Sequence, residues 1–366
     1  MRTAVADWNA GGDSGNAPPR WVGVMAKGAS IMARRHLAGL ALLAIAAAVL
    51  SSAPACAEGG PLKGRIYKIG YAQIVEHPTF DEMRRGLLDG LAAAGFEQAK
   101  NMVFDYEYAN GDAEKARAIA QQFVADKVDV MAPCSAPDAL ASVQATQGGR
   151  MPVVFGCVFE PVASGILKNA ERPTGTNVTG IFAPPPIKES FDLFLQIRPS
   201  LKRIGTIYNS ADPDSVAIDA AAKAEAAKRG LEWVEVTVTA SVKVKAAAEQ
   251  LAGKVDALVT GPDYTVATAY AELVKAAREA HLPVFALDGS AVGRGAIAAL
   301  APDPYQAGLA WARQLIVPVL LGRDPGTLKP VRLTRYELEV NLEAAKAAGV
   351  TVPPAIVQKA AKKYGG

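Results

Sequence analysis

Residues 65–96 read RIYKIGYAQIVEHPTFDEMRRGLLDGLAAAGF. The opening RIYKIGYAQ (65–73) is a short apolar run ending in polar residues, the pattern of a buried strand. After it the period changes. Phe80, Met83, Leu87 and Leu91 recur three or four residues apart, so they share one face of a helix expected from about Thr79 to Ala94. Thr79 and Glu82 have the spacing of a capping box, and Gly95 stands where a helix should stop. A strand, a polar loop and a helix form the first unit of a βαβ series.

The unit recurs. Strands are expected at 103–109, 129–134, 152–158 and 177–182, with Asp112 capping a helix that buries Ala116, Ile119, Ala120 and Phe123. The series then restarts at RIGTIYN (203–209) and continues at 231–238, 255–261, 283–288 and 295–300, with helices between. Two successive series of this kind predict an α/β fold of two Rossmann-like lobes, each with a parallel sheet covered by helices. The three prolines at 184–186 mark the handover between them. A helix at about 304–322 and the tail from Pro330 should cross between lobes again, and Pro318 should kink that helix. The expected division is 63–182 with about 303–325 in lobe 1, and 183–302 with about 326–366 in lobe 2.

Before this fold lies MARRHLAGLALLAIAAAVLSSAPACA (32–57). A basic head, an uncharged apolar body and a small-x-small exit at Ala55-Cys56-Ala57 describe a secretory signal peptide. The body is shorter than the roughly 20 apolar residues of a membrane-spanning helix. Residues 1–31 show no apolar period and are read as a non-native extension, with Met32 the expected first residue. Cleavage after Ala57 gives an exported, soluble product. A lipid anchor on Cys56 is the other reading, although Ala53 and Pro54 suit that signal poorly.

The chain carries 39 Lys+Arg and 36 Asp+Glu. Five of the former and two of the latter lie in residues 1–57, so the remainder is balanced at 34 of each. That balance supplies no basic field for nucleic acid. Hydrophobic residues make up 50% of the chain, enough for two cores. The His and Cys spacing fits no metal site, and no phosphate loop, dinucleotide fingerprint or nucleophile elbow is present. No catalytic residues and no cofactor are therefore assigned.

The informative residues follow the strands, because open α/β sheets bind ligands at the carboxyl ends of their strands. Strand ends deliver Gln73 and His77, then Ser135, Ala136 and Asp138, then Phe159 and Glu160. In the second series they deliver Asn209, then Asp263, Tyr264 and Thr265, then Asp288 and Ser290. Hydroxyls and free N–H groups at helix starts suit a carboxylate, and Asp263, Asp288 and Glu160 suit an ammonium or a sugar hydroxyl. Phe159 and Tyr264 suit a flat or apolar body. Ser135, Asp263 and Ser290 also have a plainer use as helix N-caps.

The segments IGYAQIVEHPTFDEMRRGLLDGLAAAGF (69–96), NMVFDYEYANGD (101–112), PVVFGCVFEPV (152–162), NVTGI (177–181) and VNLEAAKAAGVTVPPAI (340–356) resemble the ABC-transporter substrate-binding family. The similarity runs from about Ile66 to the C-terminus. It implies a type I periplasmic-binding fold with a hinged cleft, and a ligand site at Gln73, His77, Ser135, Ala136, Phe159, Glu160, Asp263, Tyr264, Thr265 and Asp288. Some members of the family take up aromatic amino acids. Three loops depart from the family pattern. T-D-P becomes Phe159-Glu160-Pro161, A-T-P becomes Ser135-Ala136-Pro137, and T-D-N-T becomes Gly261-Pro262-Asp263-Tyr264-Thr265. Within such a sheet Cys134 and Cys157 end neighbouring strands, where they form either a disulfide beside the cleft or two buried thiols.

The function implied is capture of a small solute, an amino acid or similar, in the periplasm, and its delivery to an ABC permease driven by a separate ATPase. The protein is expected to be a monomer that does not span the membrane after cleavage and takes no nucleic acid. A periplasmic receptor feeding a signalling protein and a secreted α/β enzyme are the alternative readings.

Overall fold

The computed structural model describes residues 60–365. The expected leader at 32–57 and the extension at 1–31 lie outside the described residues. Strand β1 (Tyr67–Gln73) is buried on both faces apart from Lys68. It pairs in parallel with β2 (Met102–Tyr108) and β3 (Val130–Cys134). Strands β4 (Val153–Val158) and β5 (Val178–Phe182) extend the same parallel sheet. The order β2-β1-β3-β4-β5 puts the switch in direction between β1 and β3, so the crevice opens at their carboxyl ends.

Helix α1 (Pro78–Ala93) begins two residues earlier than the capping-box spacing suggests. His77 is its N-cap, because Pro78 at the first position has no N–H to satisfy and a preset φ. Gly95 takes the expected left-handed conformation just past the helix end, with φ 86. Helix α2 (Ala113–Ala125) is capped by Asp112 and buries Ala116, Ile119, Ala120 and Phe123, as its periodicity requires. Helix α3 (Ala136–Ala145) follows β3 after the single residue Ser135.

In the second lobe, helix α4 (Ile187–Ile197) leads into β6 (Arg203–Asn209), followed by α5 (Pro213–Lys228), β7 (Glu232–Val238) and α6 (Val244–Leu251). Strand β8 (Ala257–Thr260), helices α7 (Tyr264–Thr268) and α8 (Tyr270–Glu279), and β9 (Val284–Ala286) come next. The four strands form a parallel sheet in the order β7-β6-β8-β9, again with a switch at the first strand. The last strand expected in this series behaves differently. β10 (Ala298–Ala301) pairs antiparallel with β12 (Glu337–Asn341) in a separate three-stranded sheet completed by β13 (Lys362–Tyr364).

The chain then returns to the first lobe. Helix α9 (Pro304–Trp311) packs backbone to backbone on α1, and Gly86, Gly90 and Gly308 permit the contact. A Cβ at Gly86 would meet the carbonyl oxygen of Tyr305, and one at Gly308 that of Met83. Where a kink is expected near Pro318, the helix has a π-helical turn at Ala312–Ile316, followed by α10 (Val317–Leu320). Widening the ladder just before a proline accommodates the missing N–H. Strand β11 (Val331–Arg332) pairs with β5, so the chain belongs to the first sheet beyond residue 325 and crosses back only after Arg332. Tyr336 Oη donates to the Pro184 carbonyl at 3.0 Å, tying the first and last crossings together.

Candidate functional site

On the first lobe the site starts at the cap of α1. His77 Nδ1 accepts the Thr79 N–H at 3.3 Å, which assigns the ring proton to Nε2. Nε2 stands 3.4 Å from Ser290 Oγ on the opposite lobe. Burial pushes the imidazole below its ordinary value and the Asp288 carboxylate only partly opposes it, so His77 is neutral here. Ser135 caps α3. Its Oγ accepts the Asp138 N–H at 3.2 Å and donates to Asp138 Oδ2 at 2.5 Å. Asp138 is fully buried, and burial pushes its carboxyl up to about 7 against the pull of the Ser135 hydroxyl. Its Oδ1 has no hydrogen-bond partner among the described residues.

Between β4 and the cleft the backbone is bent. The register of β4 against β5 shifts between Phe155 and Val158, and Cys157 adopts the left-handed region at φ 53. This bulge positions Cys157 opposite Cys134, with Cα atoms 4.7 Å apart, and the two are joined as a disulfide. It also delivers Phe159 to the cleft.

The second lobe contributes carboxylates. Asp212, at the start of α5, accepts the Ser215 hydroxyl at 2.6 Å through Oδ2, while its Oδ1 is buried without a partner. Burial chiefly pushes this group up to about 6, with Asp214 and Asp263 adding repulsion. Asp263 caps α7 by accepting the Val266 N–H at 2.9 Å and also takes the Asn209 N–H at 2.6 Å. Beside it, burial pushes the Tyr264 phenol up to about 12. Asp288 caps the turn at Gly289–Arg294, accepting the Ser290 N–H at 3.3 Å and its hydroxyl at 2.5 Å.

The two lobes are bonded across the cleft. Asp214 on α5 accepts the N–H groups of Phe159 and Glu160, each at 3.0 Å, and the hydroxyl of Ser164. One carboxylate of the second lobe thereby holds the loop that follows β4 of the first. The His77–Ser290 contact closes the other side.

Two cavities lie between these contacts. The smaller, of about 40 Å³, is lined by residues of both lobes, among them His77, Ser135, Phe159, Asp212, Asp263 and Tyr264. The larger, of about 560 Å³, is mostly apolar and reaches from Phe80, Met83 and Phe182 to Leu287 and Leu333, with Glu339, Lys362 and Tyr364 also at its wall. Thr79, Phe80, Cys157, Phe159 and Asp288 line both, so the two are neighbouring compartments of one cleft.

Of the residues expected from sequence, His77, Ser135, Ala136, Phe159, Asp263, Tyr264 and Asp288 line the small compartment. Three do not line either compartment. Gln73 is fully buried and spent inside its lobe, accepting from Tyr71 Oη at 3.2 Å and donating to the Val75 carbonyl at 2.9 Å. Thr265 is buried and accepts the Asn209 amide at 2.8 Å. Glu160 offers its backbone N–H to Asp214, while burial and the nearby Asp214 raise its half-buried carboxyl. Asp212 and Asp214 also belong to the site, though they lie beyond Asn209, where the expected strand ends. The signal was two aspartates flanking Pro213 at the same strand end. The wall from Glu339 to Tyr364 had no local signal, since the tail strands are short and lie far along the chain from their partners.

Two parallel α/β lobes, crossed three times by the chain and closed on a shared cleft, define a type I periplasmic binding protein. The chain belongs to the ABC transporter substrate binding protein family, whose profile matches residues 68–364. It is 31% identical over 279 residues to a tyrosine-binding protein of Clostridioides difficile (strain R20291), covering 76% of this chain and 80% of that one. The fold matches an ABC domain in complex with L-Trp from Streptococcus pneumonia, with a TM-score of 0.78 and 26% identity, covering 81% of this chain and 99% of that one. It also matches the ligand-free, open structure of a substrate-binding protein with adhesive properties from Clostridium difficile, at a TM-score of 0.63 and 30% identity over 82% of this chain and 100% of that one. Coverage is nearly equal in the two matches, yet the agreement is better with the liganded structure.

Proposed function

We propose that this protein is an exported receptor that closes two lobes over a small organic solute, an amino acid or a similar molecule, and hands it to an ABC permease powered by a separate ATPase. The observation that carries this reading is the Asp214 clamp, which joins the lobes around a compartment that both of them line. Closure is favoured only by contacts that exist in the closed state, and this clamp is one of them. The closer match to the L-Trp complex than to an open relative supports the same reading. Solute binding here is reversible, with the cleft residues acting as caps, donors and acceptors and no bond made or broken.

The signal-like segment at 32–57 supports an extracytoplasmic location, in the periplasm. Among the described residues no helix is long and apolar enough to cross a membrane. A thermal-shift screen of amino acids, organic acids, organic amines, sugars and purines tests the reading, because a ligand that binds only the folded state raises its melting temperature. At least one class should raise it in proportion to ligand concentration. No response from any class, with the protein folded, would contradict the assignment.

A further inference from the structure

We propose that the solute is a cation: an organic monoamine with an aromatic or aliphatic body and no carboxylate of its own. This rests on the solute-capture reading and narrows it to a ligand class. Four aspartates, Asp212, Asp214, Asp263 and Asp288, line the small compartment, and among the described residues no Lys or Arg lines it. In three of the four, both carboxylate oxygens have hydrogen-bond donors within the protein. Asp214 holds the opposite lobe, Asp263 caps α7, and Asp288 receives the N–H and hydroxyl of Ser290.

Asp212 is different. It is 4% exposed, lines the compartment, and has one carboxylate oxygen without a partner among the described residues. Behind Ser135, Asp138 is 1% exposed with one oxygen in the same state. A buried, unpartnered carboxylate oxygen is costly, and an ammonium group is the ligand fragment that relieves it with charge and hydrogen bonds together.

A ligand carboxylate finds the reverse. Serine hydroxyls that would donate to it are already donating to protein carboxylates: Ser135 to Asp138, Ser215 to Asp212, and Ser290 to Asp288. His77 is neutral and its remaining N–H faces Ser290. A second negative charge among four aspartates would be repelled, so the amine of a given body should bind better than the corresponding amino acid.

The body has a place to go. The neighbouring chamber of about 560 Å³ falls in the usual size range of small-molecule sites, roughly 300–1,000 Å³. Its wall is mainly Phe80, Met83, Phe159, Phe182, Leu287 and Leu333. The two cations that line it, Arg294 and Lys362, already have partners within the protein. Arg294 donates to the Ala267 carbonyl and stacks on Tyr270, and Lys362 pairs with Glu339 at 3.0 Å.

Three probes with one body separate the possibilities: phenethylamine, L-phenylalanine and 3-phenylpropionate, titrated calorimetrically into the purified protein at pH 7.5. Phenethylamine should bind at least about tenfold more tightly than L-phenylalanine, and 3-phenylpropionate should give no heat of binding. Asp212→Asn should weaken the amine by about tenfold or more while its melting temperature stays at or above that of the parent. L-Phenylalanine binding more tightly than phenethylamine would overturn the cation inference and leave solute capture intact. Equal affinity of the Asp212→Asn variant for phenethylamine would overturn the role of Asp212. Failure of all three probes, while the wider screen finds a sugar or purine, would also overturn the cation inference alone. Failure of every probe in both experiments would remove solute capture as well.

Discussion

Asp138 joins chemistry to stability at the scale of one residue. Its carboxyl sits at about 7 because it is buried, whereas in the unfolded chain it titrates near about 4. Between those values the unfolded state has released the proton and the folded state keeps it. The folded state therefore loses stability as pH rises through this window. Asp138→Asn removes that loss. Its melting temperature should exceed the parent's at pH 7.5, by about 2–4 °C for each kcal/mol relieved, and the gain should vanish near pH 4. An equal gain at both pH values would refute the assignment. Asp214 has a different profile. Asp214→Ala leaves three donors of the first lobe unsatisfied only when the cleft is shut. It should therefore weaken ligand binding by about tenfold in calorimetry while barely changing the melting temperature of the empty protein. Cys134 and Cys157 have Cα atoms 4.7 Å apart, within the range a disulfide spans. Thiol counting on denatured, unreduced protein beginning at Glu58 should find none free, and two free thiols would end the idea.

Elements were legible wherever burial imposed a period. β1, α1 and α2 follow from residues 65–125, since Ile69, Leu87, Leu91, Ile119 and Phe123 all face a core. Legibility failed where partners are distant. Nothing near Ala298 says that its neighbour will be Val340, and the two-residue β11 is too short to show alternation. Caps were legible as residue types but not as roles. Ser135 and Asp263 are helix caps and cleft residues together, and Thr79 lost the cap of α1 to His77 because of Pro78. The glycines at the α1–α9 contact carry the strongest prediction at this scale. A side chain at Gly308 would meet backbone atoms of Met83 and Leu87, which cannot move aside as a rotamer can. Gly308→Val should cost about 3 kcal/mol or more in chemical denaturation, whereas the same change at Gly322, which has open space around it though its φ is positive, should cost less.

At the scale of the molecule, the fold separates two tasks. The parallel sheets carry the strand ends that line the cleft, and in the proposed cycle the three crossings are the hinge about which one lobe moves against the other. The two lobes were legible from the repeated βαβ series and the prolines at 184–186. The closed arrangement was not, because it depends on Asp214 meeting backbone N–H groups some fifty residues earlier in the chain. Small-angle X-ray scattering of the purified protein, empty and saturated with the tightest ligand found in the amine and amino-acid series, tests the central claim most directly. Binding should contract the particle toward the closed form described here, and Asp214→Ala should need more ligand to reach the same contraction. Saturation without any change in the scattering curve would contradict a protein that works by closing two lobes on its solute.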